Sequence, residues 1–138
     1  MCGIVGYVGQ KQAAPLLLQG LRRLEYRGYD SAGIAILENG KIDRIRAVGK
    51  IDSLAEKMKT QKMNGTMGIA HTRWATHGGV TEANAHPHFA LDGKLILVHN
   101  GIIENHKELK KGLGEDKHQF KSETDTEVIA HLIEKIKN

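Results

Sequence analysis

The sequence predicts an α+β fold in which most strands pair in antiparallel fashion. The predicted order of elements, with a strand, a helix, a hairpin, a helix, strands and helices, fits neither regular βαβ alternation nor an all-β fold. The Asn39-Gly40 dipeptide between two apolar runs is a strong signal for a hairpin, which is an antiparallel pair. With 138 residues, 40% of them apolar, the chain can bury a core of its own, so we expect one domain over residues 1–138.

Short apolar runs separated by turn residues define the elements of the first half. They predict a strand at 4–8, a helix at 14–24 and hairpin strands at 33–37 and 41–48. The first strand is bounded by glycines and starts almost at the terminus, so we expect the terminus to be held in the fold. Ser53 and Glu56 have the spacing of a capping box, which predicts a short helix ending at about Lys59.

The second half is predicted to place polar residues at strand ends. A strand at 67–70 enters a polar loop at 71–87, and a strand at 94–98 runs into His99-Asn100-Gly101. Two helices follow, with the capping pairs Asn105 and Glu108, and Thr124 and Glu127. The first is expected to end near Lys111. The second is predicted to bury an apolar face made of Val128, Ile129, Leu132, Ile133 and Ile136.

Composition argues against several classes of partner. The net charge is +4, but the basic residues are spread among acidic ones along the whole chain, so a solvated surface is favoured and no nucleic-acid partner is expected. No run approaches the roughly 18 apolar residues of a membrane span, and the start lacks the basic flank of a secretory signal. We therefore expect no membrane partner and a cytoplasmic location.

The single cysteine, Cys2, is the first candidate for chemistry. Methionine before a small residue is normally removed, which would leave Cys2 at the chain start with a thiol and a free α-amine. The amine, with an ordinary pKa of about 7.7 to 8.0, can act as a base for the thiol near neutral pH. From position alone, however, a buried and inert cysteine is the more common case.

Three further features gain interest in combination. Arg73 follows a predicted strand, where its guanidinium could hold a carboxylate with two parallel hydrogen bonds, although a structural ion pair is more common. Asn100 and Gly101 could supply a side-chain and a backbone donor to an oxyanion, or could simply form a turn. Asp125 could face a substrate ammonium, or could cap a helix. Arg73 and Asp125 together could bind both charged ends of a free amino acid.

Histidines at four positions raise the alternative of a zinc site. They are His71, His77, His86 and His88. Their spacings match no familiar structural zinc site, and the lone cysteine is far from them in sequence. We therefore expect no metal and no cofactor.

Six sequence strings carry a resemblance to a known family. They are C-G-I-V-G at 2–6, Y-R-G-Y-D-S-A-G at 26–33, H-T-R-W-A-T-H-G at 71–78, N-A-H-P-H at 84–88, V-H-N-G-I-I-E-N at 98–105 and S-E-T-D-T-E-V-I-A-H at 122–131. Taken together they closely resemble the N-terminal, class II glutamine amidotransferase domain of the glutamine–fructose-6-phosphate aminotransferase (glucosamine-6-phosphate synthase) family. The resemblance covers nearly the whole chain.

The resemblance implies an N-terminal-nucleophile hydrolase fold, a four-layer αββα sandwich, in which Cys2 attacks the side-chain amide of L-glutamine. A glutamyl thioester and ammonia would result. Carried over by position, Arg73 would bind the glutamine α-carboxylate and Asp125 its α-ammonium. Asn100 and the Gly101 N–H would form the oxyanion hole, and Thr76 and His77 would line the pocket. Trp74 resembles a residue that gates the ammonia path, and Tyr29 lies in a loop that covers bound glutamine.

In the family, this domain continues for further strands and helices and is followed by two sugar-isomerase domains that bind fructose 6-phosphate. We therefore expect a fragment that holds part of the sandwich and only the glutaminase half of the activity. The sugar-isomerase domains are the implied partners, and a homodimer of the full-length protein is one assembly that the resemblance allows. The alternatives are a phosphoribosylpyrophosphate-type or asparagine-forming amidotransferase, and a non-catalytic remnant that binds a partner domain.

Overall fold

The computed structural model describes residues 1–76, 78–115 and 119–137. Its strands are Gly3–Val8 (β1), Ser31–Glu38 (β2), Lys41–Val48 (β3), Met67–Arg73 (β4), His88–Phe89 (β5) and Ile96–Leu97 (β6). Its α-helices are Ala13–Leu24 (α1), Ile51–Met58 (α2), His106–Glu115 (α3) and Thr126–Lys137 (α4), and a 3-10 turn at Glu25–Arg27 follows α1. No helix in these described ranges has the length and apolar character needed to span a membrane.

The main sheet has four strands in the order β1-β4-β2-β3, and every neighbouring pair is antiparallel. The predicted hairpin is confirmed. Asn39 and Gly40 both have positive φ, at 51° and 77°, which is the backbone that a tight hairpin turn requires. The central strand β4 is paired on both sides, so the chain start in β1 is joined to the hairpin through it.

Helices α1 and α2 cover one face of this sheet. Every second residue of β2 points toward them, and these side chains pack with apolar residues of both helices in the largest core of the described chain. The fully buried members of that core include Ile34, Ile36, Leu17, Leu21, Ile51 and Leu54. Because β2 is buried on its other face as well, its sequence is almost uniformly apolar or small.

A second layer lies against the opposite face of β2. Here the segment before β5 approaches so closely that a Cβ on Gly33 would lie 1.9 Å from the carbonyl oxygen of His86. β5 and β6 form a two-stranded antiparallel sheet, and α4 packs against β5. The elements thus follow the order helix, sheet, sheet, helix that the αββα expectation requires, with two strands of the second sheet in the described residues.

Several predicted boundaries are wrong. β4 continues through His71 to Arg73, where the sequence suggested a loop. His71 and Arg73 are two positions apart, so both polar side chains point to the strand face that borders the second layer. α2 begins at Ile51 without a side-chain cap, so Ser53 and Glu56 are inside the helix and form no capping box. β5 was not predicted, β6 is shorter than the expected strand at 94–98, and α3 extends beyond Lys111.

The predicted buried face of α4 is also corrected. Val128 is fully buried, but 41% of Ile133 and 84% of Ile136 are exposed. The buried positions instead include two carboxylates and a histidine that form hydrogen bonds: Glu127, His131 and Glu134. Apolar periodicity alone could not reveal this, because the helix turns a polar stripe inward.

Replacement of Gly33 by alanine is expected to lower the free energy of unfolding by about 2 kcal/mol or more, because the added methyl group collides with a backbone carbonyl that cannot rotate away. The matched control is Gly6→Ala in β1, where a Cβ meets no described atom within 4 Å. Urea denaturation of the three proteins measures the difference. Equal stability of the two variants would contradict the close approach of the second layer.

Candidate active site

A cleft of about 520 Å³ opens at the edge of the sheet where β1 begins and β4 ends. Seven of the eight residues to which the resemblance assigned a role in the reaction or in the pocket line it: Cys2, Arg73, Trp74, Thr76, Asn100, Gly101 and Asp125. Its wall also includes Met1, Arg27, His86, His99, Ile102, Thr124 and Thr126. His77 lies outside the described residues. The structure therefore brings together residues that are up to 123 positions apart in sequence.

Cys2 directly precedes β1 and is partly buried at the base of the cleft. The backbone N–H of Trp74 donates a hydrogen bond to Cys2 Sγ at 3.2 Å, and the sulfur lies 3.6 Å from the Trp74 carbonyl oxygen. The ammonium group of Met1 donates to the carbonyl oxygens of Arg27 and Gly28, at 3.1 and 2.9 Å. The thiol is thus held by backbone groups, with Met1 as part of the cleft wall.

Arg73 is the last residue of β4, rather than a loop residue as predicted, and only 3% of it is exposed. One guanidinium nitrogen, Nη1, donates to the carbonyl oxygen of Gly79 at 3.0 Å. Its backbone carbonyl accepts a bond of 2.7 Å from Asp30 N. Trp74, by contrast, is 55% exposed. Its expected role as a gate of the ammonia path stays a prediction, for a side chain that lies at the surface of the described chain.

Asn100 and Gly101 follow β6 on the other side of the cleft. Asn100 Nδ2 donates to the carbonyl oxygen of Cys2 at 3.3 Å, and Asn100 Oδ1 lies 2.7 Å from His71 Nε2. Gly101 has a φ of 152°, and a Cβ at this position would lie 2.8 Å from a ring nitrogen of His99. Only glycine avoids both the unfavourable φ and this collision.

Asp125 is 4% exposed and directly precedes α4. Its Oδ2 accepts a hydrogen bond of 2.7 Å from the backbone N–H of Ile103. The carboxylate therefore fastens the segment that carries Asn100 to the start of α4. An ionised carboxylate has about four acceptor positions, so further donors can be accommodated.

Three buried histidines form a cluster next to the cleft, and one of them, His86, also lines it. The rings of His71 and His86 are 4.0 Å apart and nearly parallel, and His88 packs edge-on against His86 at 4.6 Å. Burial lowers the pKa of His71 to about 4 and that of His88 to about 3, and it lowers the pKa of His86 further still. All three rings are therefore neutral at pH 7. In the part of the chain that the structure describes, no three histidine, cysteine or carboxylate side chains are arranged to hold a metal ion.

A family model described as a glutamine amidotransferase domain matches residues 55–137. This chain belongs to the glutamine amidotransferase family. It is 60% identical over 97% of its length to a glutamine–fructose-6-phosphate aminotransferase of Caldanaerobacter subterraneus subsp. tengcongensis, and 57% identical over 97% to that of Pyrococcus horikoshii. In both cases the match covers 22% of the relative, so the chain spans about a fifth of the length of these curated relatives.

Solved amidotransferase structures share the fold. The glutamine phosphoribosylpyrophosphate amidotransferase from B. subtilis, complexed with ADP and GMP, aligns with a TM-score of 0.81 and 31% identity over 97% of this chain and 29% of that one. A second structure, described as the allosteric regulatory enzyme of purine biosynthesis, aligns with a TM-score of 0.83 and 32% identity over the same shares. The predicted family, enzyme class and N-terminal-nucleophile fold class are confirmed.

Sequence reasoning missed several residues that shape the cleft of this amidotransferase. Asp30 accepts from the backbone N–H of Ala75, and Asn84 bridges Gly79 O and Glu123 N. Both lie in strings that the resemblance rests on, but hydrogen bonds with backbone groups 45 and 39 positions away cannot be predicted from the residue type. Tyr29 donates a hydrogen bond to Glu25 and accepts one from Ile51 N beside the core, and its expected place over bound glutamine stays a prediction.

Glu127 anchors the helix that follows Asp125. Burial alone would raise the pKa of Glu127, but hydrogen bonds from His131 and from Lys121 N and Ser122 lower it to about 2. The contribution of this carboxylate to stability is therefore complete above its ordinary pKa of 4.5 and is lost as the pH falls toward 2.

Glu127→Gln is expected to reduce the free energy of unfolding by about 1 to 3 kcal/mol at pH 6 and to flatten its decline between pH 5 and pH 3. Denaturant unfolding at several pH values measures both effects. Glu56→Gln is the control, because Glu56 forms only an exposed pair with Lys59 and should change little. A parallel acid profile for Glu127→Gln and the wild type would show that Glu127 is not the titrating anchor.

Proposed function

We propose that this chain catalyses the hydrolysis of L-glutamine to glutamate and ammonia, as the glutaminase part of a glutamine–fructose-6-phosphate aminotransferase. The observation that carries the proposal is the position of Cys2 Sγ in a cleft that a buried arginine and a buried aspartate also line. A thiol nucleophile between an anion-binding and a cation-binding group suits an amide substrate that carries both charges. The family assignment independently supports glutamine as the substrate.

The proposed reaction starts once Met1 has been removed, so that Cys2 carries the free α-amine. This amine takes the thiol proton, and the Sγ thiolate forms a bond to the side-chain amide carbon of glutamine. The carbonyl electron pair moves to oxygen, and the resulting oxyanion is stabilised by Asn100 Nδ2 and Gly101 N–H. When this pair returns, the C–N bond breaks, the amine proton is transferred to nitrogen and ammonia leaves. Water then hydrolyses the glutamyl thioester to glutamate.

Met1 supports this order of events through its own contacts. Its ammonium group donates hydrogen bonds to the carbonyl oxygens of Arg27 and Gly28, and an Arg27 guanidinium nitrogen lies 2.6 Å from the Met1 sulfur. Removal of Met1 would free those acceptors, enlarge the cleft and create the amine on Cys2 itself. Processing would therefore supply the base and open space for the substrate in a single step.

Substrate recognition is proposed to use the two buried charges. Arg73 would bind the α-carboxylate of glutamine and Asp125 its α-ammonium, since each is buried at the cleft and oriented by a hydrogen bond with the backbone. Thr76 and His77 are proposed to line the same pocket, and Trp74 to lie on the path by which ammonia leaves. Neither a metal nor a cofactor takes part in these steps.

Fructose 6-phosphate is the proposed acceptor of the ammonia, bound by sugar-isomerase domains of the longer protein. Identities of 56% and above to relatives with that name favour this branch over the phosphoribosylpyrophosphate type, for which the solved structure from B. subtilis is 31% identical. A homodimer of the full-length protein and a cytoplasmic location remain predictions. The competing proposal is a non-catalytic remnant that binds a partner domain. Measured glutamine hydrolysis would exclude this alternative, and its absence would support it.

Cys2→Ala is expected to abolish glutamine hydrolysis, because it removes the only thiol in the chain. Release of glutamate and ammonia is measured in parallel with intact mass, which reports whether Met1 is present. A glutamine-like electrophile should add one adduct per chain to the wild type and none to the variant. Full activity in Cys2→Ala, or in protein that quantitatively retains Met1, contradicts the mechanism.

Asp125→Asn and Arg73→Lys are each expected to raise the KM for glutamine about tenfold or more, because each weakens a charged hydrogen bond to one end of the substrate. Steady-state kinetics with glutamine and with its α-methyl ester, which lacks the carboxylate charge, separates the two roles. Arg73→Lys should lose its defect with the ester, whereas Asp125→Asn should keep it.

The matched control for this pair is Arg22→Lys, because Arg22 forms an exposed salt bridge with Asp52 away from the cleft. Its kinetics with both substrates should equal those of the wild type. Equal defects of Arg73→Lys with glutamine and with the ester would show that Arg73 does not bind the substrate carboxylate.

A further inference from the structure

We propose that His71 is a positioning residue for the oxyanion site: its Nε2–H fixes the side-chain amide of Asn100 in the orientation that presents Nδ2 to the reacting carbonyl oxygen. The inference rests on the proposed glutaminase function. The resemblance and the mechanism above give His71 no role. It acts through Asn100 and does not itself line the cleft.

The orientation of the Asn100 amide follows from its two neighbours. The oxygen and nitrogen ends of such an amide have nearly the same shape, so packing alone does not distinguish them. Nδ2 lies 3.3 Å from the carbonyl oxygen of Cys2, which can only accept a hydrogen bond. The NH2 group must therefore face Cys2, and Oδ1 must face His71, because the reverse arrangement would place two oxygens against each other.

The hydrogen on His71 is defined by the same geometry. Asn100 Oδ1 can only accept, and His71 Nε2 lies 2.7 Å from it, so Nε2 carries the hydrogen. The contact is the shorter of the two described hydrogen bonds of the amide. His71 thus supplies the stronger restraint, at the end of the amide opposite to the donor that the reaction needs.

The His71 ring is itself held in place from several directions. It is fully buried on the central strand β4, where its backbone pairs with Ile4 on one side and Gly33 on the other. The ring of His86 stacks on it at 4.0 Å. A side chain packed in this way cannot follow a rotating amide, so the restraint on Asn100 comes from the sheet.

A fixed amide matters because the oxyanion exists only during the reaction. Each such donor contributes about 10²–10³ in rate when it is already aimed at the developing charge. If the His71 bond is lost, Asn100 keeps its donor but can rotate away, so the loss in kcat should be smaller than for removal of Asn100. A single hydrogen bond suggests about tenfold.

The first test compares His71→Phe, which keeps a ring for stacking but has no donor, with the wild type. The kcat for glutamine should fall about tenfold, while the KM and the calorimetric Kd for the product glutamate should change less than twofold. Glutamate binds through the charged contacts without forming an oxyanion, so a weaker Kd for glutamate would reveal that the variant has a damaged pocket. A parallel loss of glutamate binding, or an unchanged kcat, would overturn the proposal.

A transition-state probe sharpens this test. In the analogue of glutamine with an aldehyde in place of the amide, Cys2 Sγ adds to the aldehyde carbon, and the carbonyl oxygen becomes the hemithioacetal oxygen after taking up the thiol proton. That oxygen occupies the oxyanion site. His71→Phe should weaken inhibition by the aldehyde by the same factor as kcat. Unchanged inhibition with reduced kcat would assign the defect to another step and contradict the role.

A second pair of variants keeps the test decisive even if His71→Phe does not fold. His71→Gln can place an NH2 group near the position of Nε2, whereas His71→Asn places one near Nδ1 instead. The two have the same polarity, so a merely structural role predicts similar activity. The proposal predicts that Gln restores most of the wild-type kcat and that Asn does not. Equal activity of this pair would overturn it.

The double variant His71→Phe/Asn100→Ala separates this inference from the proposed function. Its kcat should equal that of Asn100→Ala alone, because His71 acts only through the amide. Multiplied defects would show an independent role and reject the inference while glutaminase activity stands. A wild-type protein that does not hydrolyse glutamine, judged against Cys2→Ala, would reject the proposed function and this inference with it.

Discussion

The antiparallel pairing of β1 with β4 is the constraint on which the candidate site depends. Gly3 pairs with Thr72 and also donates a hydrogen bond of 3.0 Å to its hydroxyl. This register brings the residue before β1 to the residues that end β4, so that Cys2 Sγ meets Trp74 N. A slip of one residue would turn Arg73 to the other face of the sheet. The proposed nucleophile and the proposed carboxylate-binding group are therefore placed by backbone pairing rather than by loop conformation.

Two arginines of β3 hold in place the segment 83–87, which contributes His86 to the wall of the cleft. Arg46 Nη1 donates to the carbonyl oxygens of Ala83 and Ala85, and Arg44 Nη1 donates to that of Pro87. Burial lowers the pKa of Arg44 to about 10, which still leaves the group charged at pH 7. These bonds satisfy carbonyl groups of a segment that is otherwise irregular. They hold it against β2, where Gly33 leaves the room it needs.

The sequence predicted the fold class and the hairpin correctly, because antiparallel strands joined by Asn39-Gly40 are a local property. It failed where tertiary contacts override a local pattern. His71 and Arg73 suggested a loop because they are polar, yet they continue β4 on a face that is covered by other polar groups. The buried stripe of α4, which contains Glu127, was invisible for the same reason. The cost of burying Glu127 is offset by hydrogen bonds from the backbone N–H groups of Lys121 and Ser122, which precede the helix and lie outside its apolar pattern.

The candidate site was predicted as a set of residues, but the links between them could not be. A resemblance assigns roles to Asn100 and Asp125 separately, whereas the structure joins them, since Asp125 Oδ2 accepts from Ile103 N three residues after Asn100. Oδ2 of this carboxylate accepts that bond and Oδ1 accepts a longer one of 3.5 Å from the Thr126 hydroxyl, which leaves acceptor positions for a substrate ammonium. The proposed substrate recognition and the proposed oxyanion site would thus share one anchored carboxylate at the start of α4. His71 holds Asn100 at the other end of the same segment, so the proposed oxyanion donor is restrained from both α4 and β4. A donor that is preorganised in this way stabilises the charge that develops during an acyl transfer.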